Sequence, residues 1–207
     1  FKKTSNIFNY NTKHDVLEIG SGNGDFAKKL SDQVNQVYCL DTSQEFIDLC
    51  KTNVANKNNV KILKLSNDYT NLSLLKNIKF SIIIANSVVQ YYKSQEEIVE
   101  LIKSVKKVAL NDARFLIADI EVDTDKKKSY LKLIYNSMLN GYFISLIKMA
   151  LKLFINKEYK NAIKQQPLLC VDLDRLIEDI SSFVSKVTVI SEDLTINSDR
   201  KHLLIQF

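Results

Sequence analysis

The first 120 residues alternate between short, nearly continuous apolar runs and segments in which apolar residues recur at helical spacing, and this alternation constrains the fold most. Runs such as FSIIIA at positions 80–85 are typical of parallel strands that are buried on both faces. Short connections through helices predict right-handed βαβ units in an open, doubly wound α/β sheet. The predicted strands span 15–19, 37–40, 60–65, 80–85 and 114–120.

Helix signals complete this pattern. Two segments have the form of a capping box, in which Ser or Thr is followed three residues later by Glu, and they begin at Thr42 and Ser94. A further helix is predicted at about 172–183. Two closing strands are predicted at 186–190 and 202–207. The whole chain, 1–207, is therefore predicted to form a single domain.

The composition narrows the class of protein. Only 4 Gly and 1 Pro argue against a disordered chain and against a turn-rich β-sandwich. The three scattered cysteines predict neither a disulfide framework nor a zinc site, which fits a reducing cytoplasm. No secretory signal opens the chain, and no uncharged apolar run reaches the roughly 20 residues that span a bilayer. We therefore expect a cytoplasmic protein without a transmembrane segment.

A glycine-rich turn follows the first predicted strand in the sequence VLEIGSGNG, at positions 16–24. Glycines allow a tight turn and a close approach of the backbone to a ligand, and a helix N-terminus follows directly. Asp41 ends the second strand, where a carboxylate is placed to accept hydrogen bonds from a ribose. Asp25 stands where a dinucleotide fingerprint has its third glycine, and it would repel a pyrophosphate. These features predict an adenosine cofactor that lacks phosphate.

The glycine turn resembles motif I of the class I methyltransferases that use S-adenosylmethionine (SAM). The resemblance implies a Rossmann-like sheet, mostly parallel with an antiparallel last strand, and SAM as the cofactor. It also implies that Asp41 holds the two ribose hydroxyls, that Asp68 faces the adenine amino group, and that Asn86 and Ser87 follow the fourth strand beside the cofactor. The cofactor site implied in this way consists of Glu18, Gly20, Ser21, Gly22, Gly24, Asp41, Thr42, Asn67, Asp68, Asn86 and Ser87.

No catalytic base is evident from the sequence, and no cluster of metal-ligating residues is found. If the last strand runs antiparallel, as in the family, His202 lies on the same edge of the sheet as Asp119 and Glu121. These residues and Tyr91, which follows the fourth strand, are the four candidates for a catalytic role. Each of them also has a structural interpretation, as a packing, capping or surface residue.

The entire net charge of +5 arises in residues 121–165, which contain nine Lys and four acidic residues. We expect 121–170 to form a helical lid or insertion, because apolar residues recur at helical spacing over 129–155. The apolar stripe favours packing on the sheet or a homodimer contact. The positive charge of the segment makes an anionic or lipid-like acceptor a further hypothesis. Nucleic acid is disfavoured, since the Asn/Asp-Pro-Pro-Tyr pattern of base-amino methyltransferases is absent after the fourth strand.

The sequence therefore predicts an enzyme that transfers a methyl group from SAM to the oxygen or nitrogen of a small molecule by in-line displacement. One alternative is a methyltransferase for a lipid-like or anionic acceptor at a membrane surface. A nucleotide-dependent oxidoreductase and a non-catalytic SAM-binding module are two further hypotheses.

Overall fold

The computed structural model of the chain describes residues 1–66, 68–123, 134–135, 137–138, 141, 168–194 and 199–207. The strands in these residues are β1 (Asp15–Ile19), β2 (Gln36–Asp41), β3 (Val60–Lys64), β4 (Phe80–Asn86), β5 (Ala109–Ile120), β6 (Lys186–Ile190) and β7 (Lys201–Gln206). The helices are α1 (Lys2–Phe8), α2 (Asp25–Leu30), α3 (Gln44–Asn53), α4 (Gln95–Val108) and α5 (Leu173–Ser181). Two short 3₁₀ helices lie at Ser73–Leu75 and Val89–Tyr91.

The strands form one seven-stranded sheet in the order β3-β2-β1-β4-β5-β7-β6. β1 to β5 pair in parallel, whereas β7 runs antiparallel to both of its neighbours, β5 and β6. This order confirms the predicted Rossmann-like, mostly parallel sheet. The strand order reverses between β1 and β4, and open α/β sheets bind ligands at the carboxyl ends of the strands beside such a reversal.

Both faces of the sheet are buried, as the nearly continuous apolar strands predict. Successive residues of β4 illustrate this arrangement, because Ile83 lies in the core beneath α4 and α5, whereas Ile82 and Ile84 lie in the core beneath α1, α2 and α3. Burial of a side chain of this size stabilises the fold by about 1.5–3 kcal/mol. With both faces covered by helices, the strand ends are where functional side chains can gather.

Several details differ from the predictions. The side chain of Ser94 makes no capping hydrogen bond at the start of α4, although a capping box was predicted there. β5 begins at Ala109 rather than at 114. The sequence did not indicate these additional strand residues, because residues 110–112 are exposed and carry no apolar run. Helix α3 is capped by Ser43, whose hydroxyl accepts a hydrogen bond from the N–H of Phe46 at 3.4 Å. The hydroxyl of Thr42 is instead bonded to Tyr69. Helix α1 was not predicted, because its short sequence lacks a periodic apolar pattern.

No helix in the described part of the chain is both long and apolar enough to cross a membrane. The predicted helical insertion at 121–170, with its apolar stripe at 129–155, lies largely outside the described residues. The lid and dimer-contact hypotheses therefore stay predictions from the sequence.

Arg114 holds the end of α1 against β5. Its Nη1 donates to the carbonyl of Ile7 and its Nη2 to the carbonyl of Phe8, both at 2.8 Å, and its guanidinium lies 5.0 Å from the centre of the Phe8 ring. A cation at a helix C-terminus satisfies free carbonyls and opposes the helix dipole. Arg114 therefore ties the N-terminal helix to the sheet.

Replacing Arg114 with Ala is expected to lower the free energy of unfolding by about 2–3 kcal/mol, since two charge-assisted hydrogen bonds are lost. Urea unfolding measures this change. Arg175→Ala is the matched control, because its side chain is 64% exposed and its ion pairs on the surface are worth little. Equal losses in the two variants would contradict the anchoring role of Arg114.

Candidate cofactor site

The turn between β1 and α2 depends on three glycines. Their φ angles are +73° at Gly20, +52° at Gly22 and +79° at Gly24, a region that L side chains rarely adopt. A Cβ on Gly20 would lie 2.3 Å from Cγ2 of Val88, and a Cβ on Gly24 would lie 2.6 Å from Sγ of Cys50. These two glycines therefore let the turn pack closely against the loop after β4 and against α3.

Gly22 faces open space instead. No heavy atom of the described residues lies within 4 Å of the position that its Cβ would occupy. Its N–H donates to Oδ2 of Asp41 at 2.9 Å, and this bond ties the middle of the turn to the end of β2. The turn thus presents bare backbone at the carboxyl end of the sheet, beside the reversal of strand order.

Asp41 is buried at this edge, with only 3% of its surface exposed. In addition to the bond from the Gly22 N–H, Asp41 accepts two hydrogen bonds at Oδ1. The N–H of Ser43 donates to this oxygen at 2.9 Å and the hydroxyl of Tyr69 at 3.2 Å. The hydroxyl of Thr42 in turn donates to the Tyr69 oxygen at 3.1 Å. The predicted ribose-binding carboxylate is therefore buried and held by several donors.

Asp25 keeps a negative charge at the start of α2. The side-chain amide of Asn23 donates to its Oδ2 at 2.8 Å, and that of Asn53 donates to its Oδ1 at 2.6 Å. These two hydrogen bonds lower the pKa of Asp25 from its ordinary value. The site is therefore poorly suited to a pyrophosphate, which disfavours a dinucleotide cofactor.

Glu18 lies beneath the glycine turn and is 5% exposed. Burial raises the pKa of the Glu18 carboxyl well above its ordinary value of 4.5, and the nearby Cys50 and Asp41 raise it further. The thiol of Cys39, 3.9 Å from Oε2, opposes this effect by donating a hydrogen bond. The native protein therefore binds a proton at Glu18 at pH values where the unfolded chain has released it.

Glu18→Gln is expected to raise the free energy of unfolding more at pH 8 than at pH 5. Stability of the natural chain falls as pH rises from about 4.5 to the raised native pKa, because the native state holds the extra proton. The loss is about 1.4 kcal/mol for each pH unit of that interval. Urea unfolding of both proteins tests this, with the exposed Glu45→Gln as control, and parallel pH profiles would contradict it.

A second group of polar residues joins the ends of β4 and β5 to the start of β7. Ser87 and Asp119 have left-handed φ angles of 59° and 68°, and the Ser87 hydroxyl donates to Oδ2 of Asp119 at 2.7 Å. Nε of Arg200 lies 3.7 Å from Oδ1 of Asp119, and its Nη1 pairs with Glu121 and donates to Oε1 of Gln90 at 3.3 Å. We call these five residues the Arg200 cluster. Two strained residues bonded to each other indicate a place with a functional constraint.

Arg200 and Gln90 were not among the predicted site residues. Arg200 stands in a polar loop outside any motif, and Gln90 lies in the segment after the fourth strand, close to Asn86 and Ser87 but not predicted with them. The sequence indicated the other three members, Ser87, Asp119 and Glu121, but only the pairing of β7 with β5 brings Arg200 to the carboxylates.

His202, a candidate catalytic residue, is on this edge but only 1% exposed. Its Nδ1 faces the N–H of Asp119 at 3.1 Å and its Nε2 faces the N–H of Leu194 at 3.2 Å. A neutral imidazole accepts at one nitrogen, so only one of these contacts is a hydrogen bond at a time. Burial lowers the pKa of His202, which keeps the ring neutral. This placement favours a structural role.

Three further predicted site residues, Tyr91, Asn86 and Asp68, lie at the same edge of the sheet. Tyr91 is 62% exposed, and Asn86 is exposed at the end of β4. Asp68 is exposed, and its Oδ1 accepts hydrogen bonds from the N–H and the hydroxyl of Thr70 at 2.7 and 2.5 Å. Asn67 lies outside the described residues.

The residues at this edge fit SAM. The open backbone of Gly22 leaves room for a ligand to lie against it. The Ser21 hydroxyl, buried beside it, has no hydrogen-bond partner of good geometry in the described part of the protein. Asp41 ends the neighbouring strand β2, at the position where the sequence predicts that the ribose binds. No group of three or more His, Cys, Asp or Glu side chains among the described residues could hold a metal ion.

Comparison with known proteins gives the same class. Residues 16–112 match the protein family described as a methyltransferase domain. Over 110 residues the chain is 29% identical to chondramide synthase cmdD from Chondromyces crocatus, a match that covers 51% of this chain and 3% of the synthase. The chain thus spans only a small fraction of that relative's length.

Solved structures share the fold at low sequence identity. N-methyltransferase NodS from Bradyrhizobium japonicum WM9, in complex with S-adenosylhomocysteine (SAH), has a TM-score of 0.57 at 12% identity, covering 95% of this chain and 78% of that one. Magnesium protoporphyrin IX methyltransferase from Synechocystis PCC 6803, with bound SAH, gives 0.58 at 13%, covering 99% and 78%. An rRNA methylase from Streptococcus thermophilus gives 0.55 at 12%, covering 95% and 88%. Neighbours with such different names do not define the acceptor.

The sheet order, the glycine turn with Asp41 and the match of residues 16–112 to the methyltransferase-domain family are all consistent with a class I SAM-dependent methyltransferase. The family match agrees with the predicted enzyme class, and the SAH bound in two of the neighbours agrees with SAM as the predicted cofactor.

Proposed function

We propose that this chain transfers the methyl group of SAM to an oxygen or nitrogen of a small-molecule acceptor. The observation that carries the proposal is the open backbone at Gly22, tied to the buried Asp41 at the reversal of strand order. When bound, SAM supplies a methyl group that its sulfonium already activates. What remains for the protein is to align the acceptor in line with that group and to exclude water.

The cofactor half of the proposed site uses residues from four loops. The turn Gly20–Ser21–Gly22–Gly24, above Glu18, would hold the amino-acid arm, Asp41 and Thr42 would flank the ribose, and Asn67 and Asp68 would face the adenine. Asn86 and Ser87 would close the side toward the acceptor. This assignment combines the geometry of the described residues with the family resemblance of the sequence.

The Arg200 cluster supports placing the acceptor beside β4 and β5. Asp119 is partly exposed, and its carboxylate is fixed by Ser87 on one side and Arg200 on the other. Of the four sequence candidates, we propose that Asp119 hydrogen-bonds the acceptor and orients its lone pair. Glu121 would act indirectly, because its ion pair with Arg200 holds the guanidinium beside Asp119. A small molecule is favoured over RNA because the sequence relative is a segment of a synthase, and because the base-amino methyltransferase pattern is absent.

Asp119→Asn is expected to lower kcat about 10- to 100-fold, the effect of losing a hydrogen bond to a charged group, while the dissociation constant for SAH stays within twofold of the natural value. Asn tolerates the left-handed backbone, but its neutral oxygen holds the acceptor less strongly than a carboxylate does. Asp112→Asn is the matched control, since Asp112 lies on the same strand with a φ of 65° and is exposed. A parallel loss of SAH affinity would contradict an acceptor-side role.

The proposed function is tested by incubating the protein with methyl-labelled SAM and a panel of small amines, phenols and carboxylic acids. We expect labelled product and SAH to form only with particular acceptors. SAM that binds but is never consumed with any acceptor would favour the non-catalytic binding module. Transfer to RNA or to lipid vesicles alone, in parallel reactions, would contradict the small-molecule assignment.

A further inference from the structure

We propose that Asp41 accepts a hydrogen bond from only one of the two ribose hydroxyls, because Tyr69 occupies the position that the second hydroxyl would need. The inference rests on the proposed placement of the ribose at Asp41. It makes Tyr69 a specificity-determining residue that no motif in the sequence indicates.

Asp41 has few acceptor positions left for a ligand. A carboxylate offers about four lone-pair positions, two on each oxygen. Oδ1 of Asp41 is filled by the Ser43 N–H at 2.9 Å and the Tyr69 hydroxyl at 3.2 Å. Oδ2 accepts the Gly22 N–H at 2.9 Å, which leaves one position among the contacts of the described residues. One hydroxyl of a ligand fits this carboxylate, and a grip on both hydroxyls does not.

The Tyr69 hydroxyl is held firmly in this position. The Thr42 hydroxyl donates to its oxygen at 3.1 Å, so Tyr69 is left to donate its own proton to Asp41. Its ring lies against that of Tyr92, with 6.5 Å between the ring centres and 30° between the planes. Burial raises the pKa of Tyr69, so the hydroxyl remains a donor at neutral pH.

The two N–H donors of Asp41 cannot be displaced without cost. The Gly22 and Ser43 amides belong to the glycine turn and to the start of α3, and an unpaired buried N–H is costly. A ligand hydroxyl would therefore use the remaining position on Oδ2. Removal of the Tyr69 hydroxyl would open a second position, on Oδ1.

The test is isothermal titration of the natural protein and of Tyr69→Phe with SAH and with its 2′-deoxy and 3′-deoxy analogues. In the natural protein we expect one analogue to bind at least about 10-fold more weakly than SAH and the other to bind within about threefold. In Tyr69→Phe we expect the tolerated analogue also to lose about fivefold or more relative to SAH, because both hydroxyls then reach the carboxylate.

Tyr38→Phe is the matched control. Tyr38 is on β2 with Asp41, but its hydroxyl is bonded to Lys61 at 3.1 Å, away from the strand end. This variant should keep the natural pattern of analogue affinities. Equal losses for the two analogues in the natural protein, or the same pattern in Tyr69→Phe as in the natural protein, would overturn the inference while leaving SAM binding intact. Absence of SAH binding to the natural protein would overturn the proposed function itself and the inference with it.

Discussion

Replacing Asp41 with Ala is expected to weaken SAH binding about 10- to 150-fold, the cost of one hydrogen bond to a charged acceptor. The same change should lower the free energy of unfolding. The N–H groups of Gly22 and Ser43 and the Tyr69 hydroxyl would lose their acceptor, and each buried donor left unpaired costs about 1–3 kcal/mol. Titration calorimetry with SAH and urea unfolding measure the two effects.

Asp48→Ala is the control for this variant. Asp48 lies on α3, its side chain is 60% exposed, and it pairs with Lys51 on the surface, so its loss should change neither quantity appreciably. If Asp41→Ala keeps SAH affinity within twofold of the natural protein, Asp41 serves only to hold the turn.

Substitutions in the glycine turn are expected to affect different properties, mainly stability at Gly20 and mainly cofactor binding at Gly22. Gly20→Ala should lower the free energy of unfolding by about 2–5 kcal/mol, because a left-handed Ala costs roughly 1–2 kcal/mol and overpacking against Val88 adds about 1–3 kcal/mol. In a domain of this size the melting temperature should then fall by about 5–20 °C.

Gly22→Ala should instead lower SAH affinity more than it lowers stability. Its Cβ meets no described atom within 4 Å, so only the left-handed strain, roughly 1–2 kcal/mol, bears on stability. The added methyl group would instead fill the space in which we place the cofactor. SAH affinity should fall at least about 10-fold, the effect of a modest steric cost in a tight site. Equal melting temperatures for the two variants, or natural SAH affinity in Gly22→Ala, would contradict this division.

The sequence was sufficient to predict the sheet because the apolar strands are buried on both faces and leave an uninterrupted signal. The sequence also predicted that Gly22 and Asp41 lie close together, since each ends or follows a strand and the register of parallel strands brings such ends together. Their role in binding the cofactor stays a prediction. Both predictions need only local patterns and one general rule of α/β folds.

Contacts between distant segments could not be predicted in this way. The hydrogen bond from Tyr69 to Asp41 spans 28 positions, and the ion pair of Arg200 with Asp119 depends on the return of β7 beside β5. His202 shows the same limit, because its position on the edge was foreseen but its enclosure by the N–H groups of Asp119 and Leu194 was not. Side-chain partners of this kind are fixed by packing, for which the sequence carries no periodic signal.

A crystal structure of the protein with SAH tests the proposed cofactor site most directly. We predict that the ribose lies at Asp41, with one hydroxyl on Oδ2, and that the amino-acid arm lies against the backbone of Gly22. We also predict that the sulfur faces the side of the site formed by Ser87 and Asp119. SAH bound elsewhere, or a saturated crystal in which Gly22 and Asp41 contact no ligand, would contradict the proposed site.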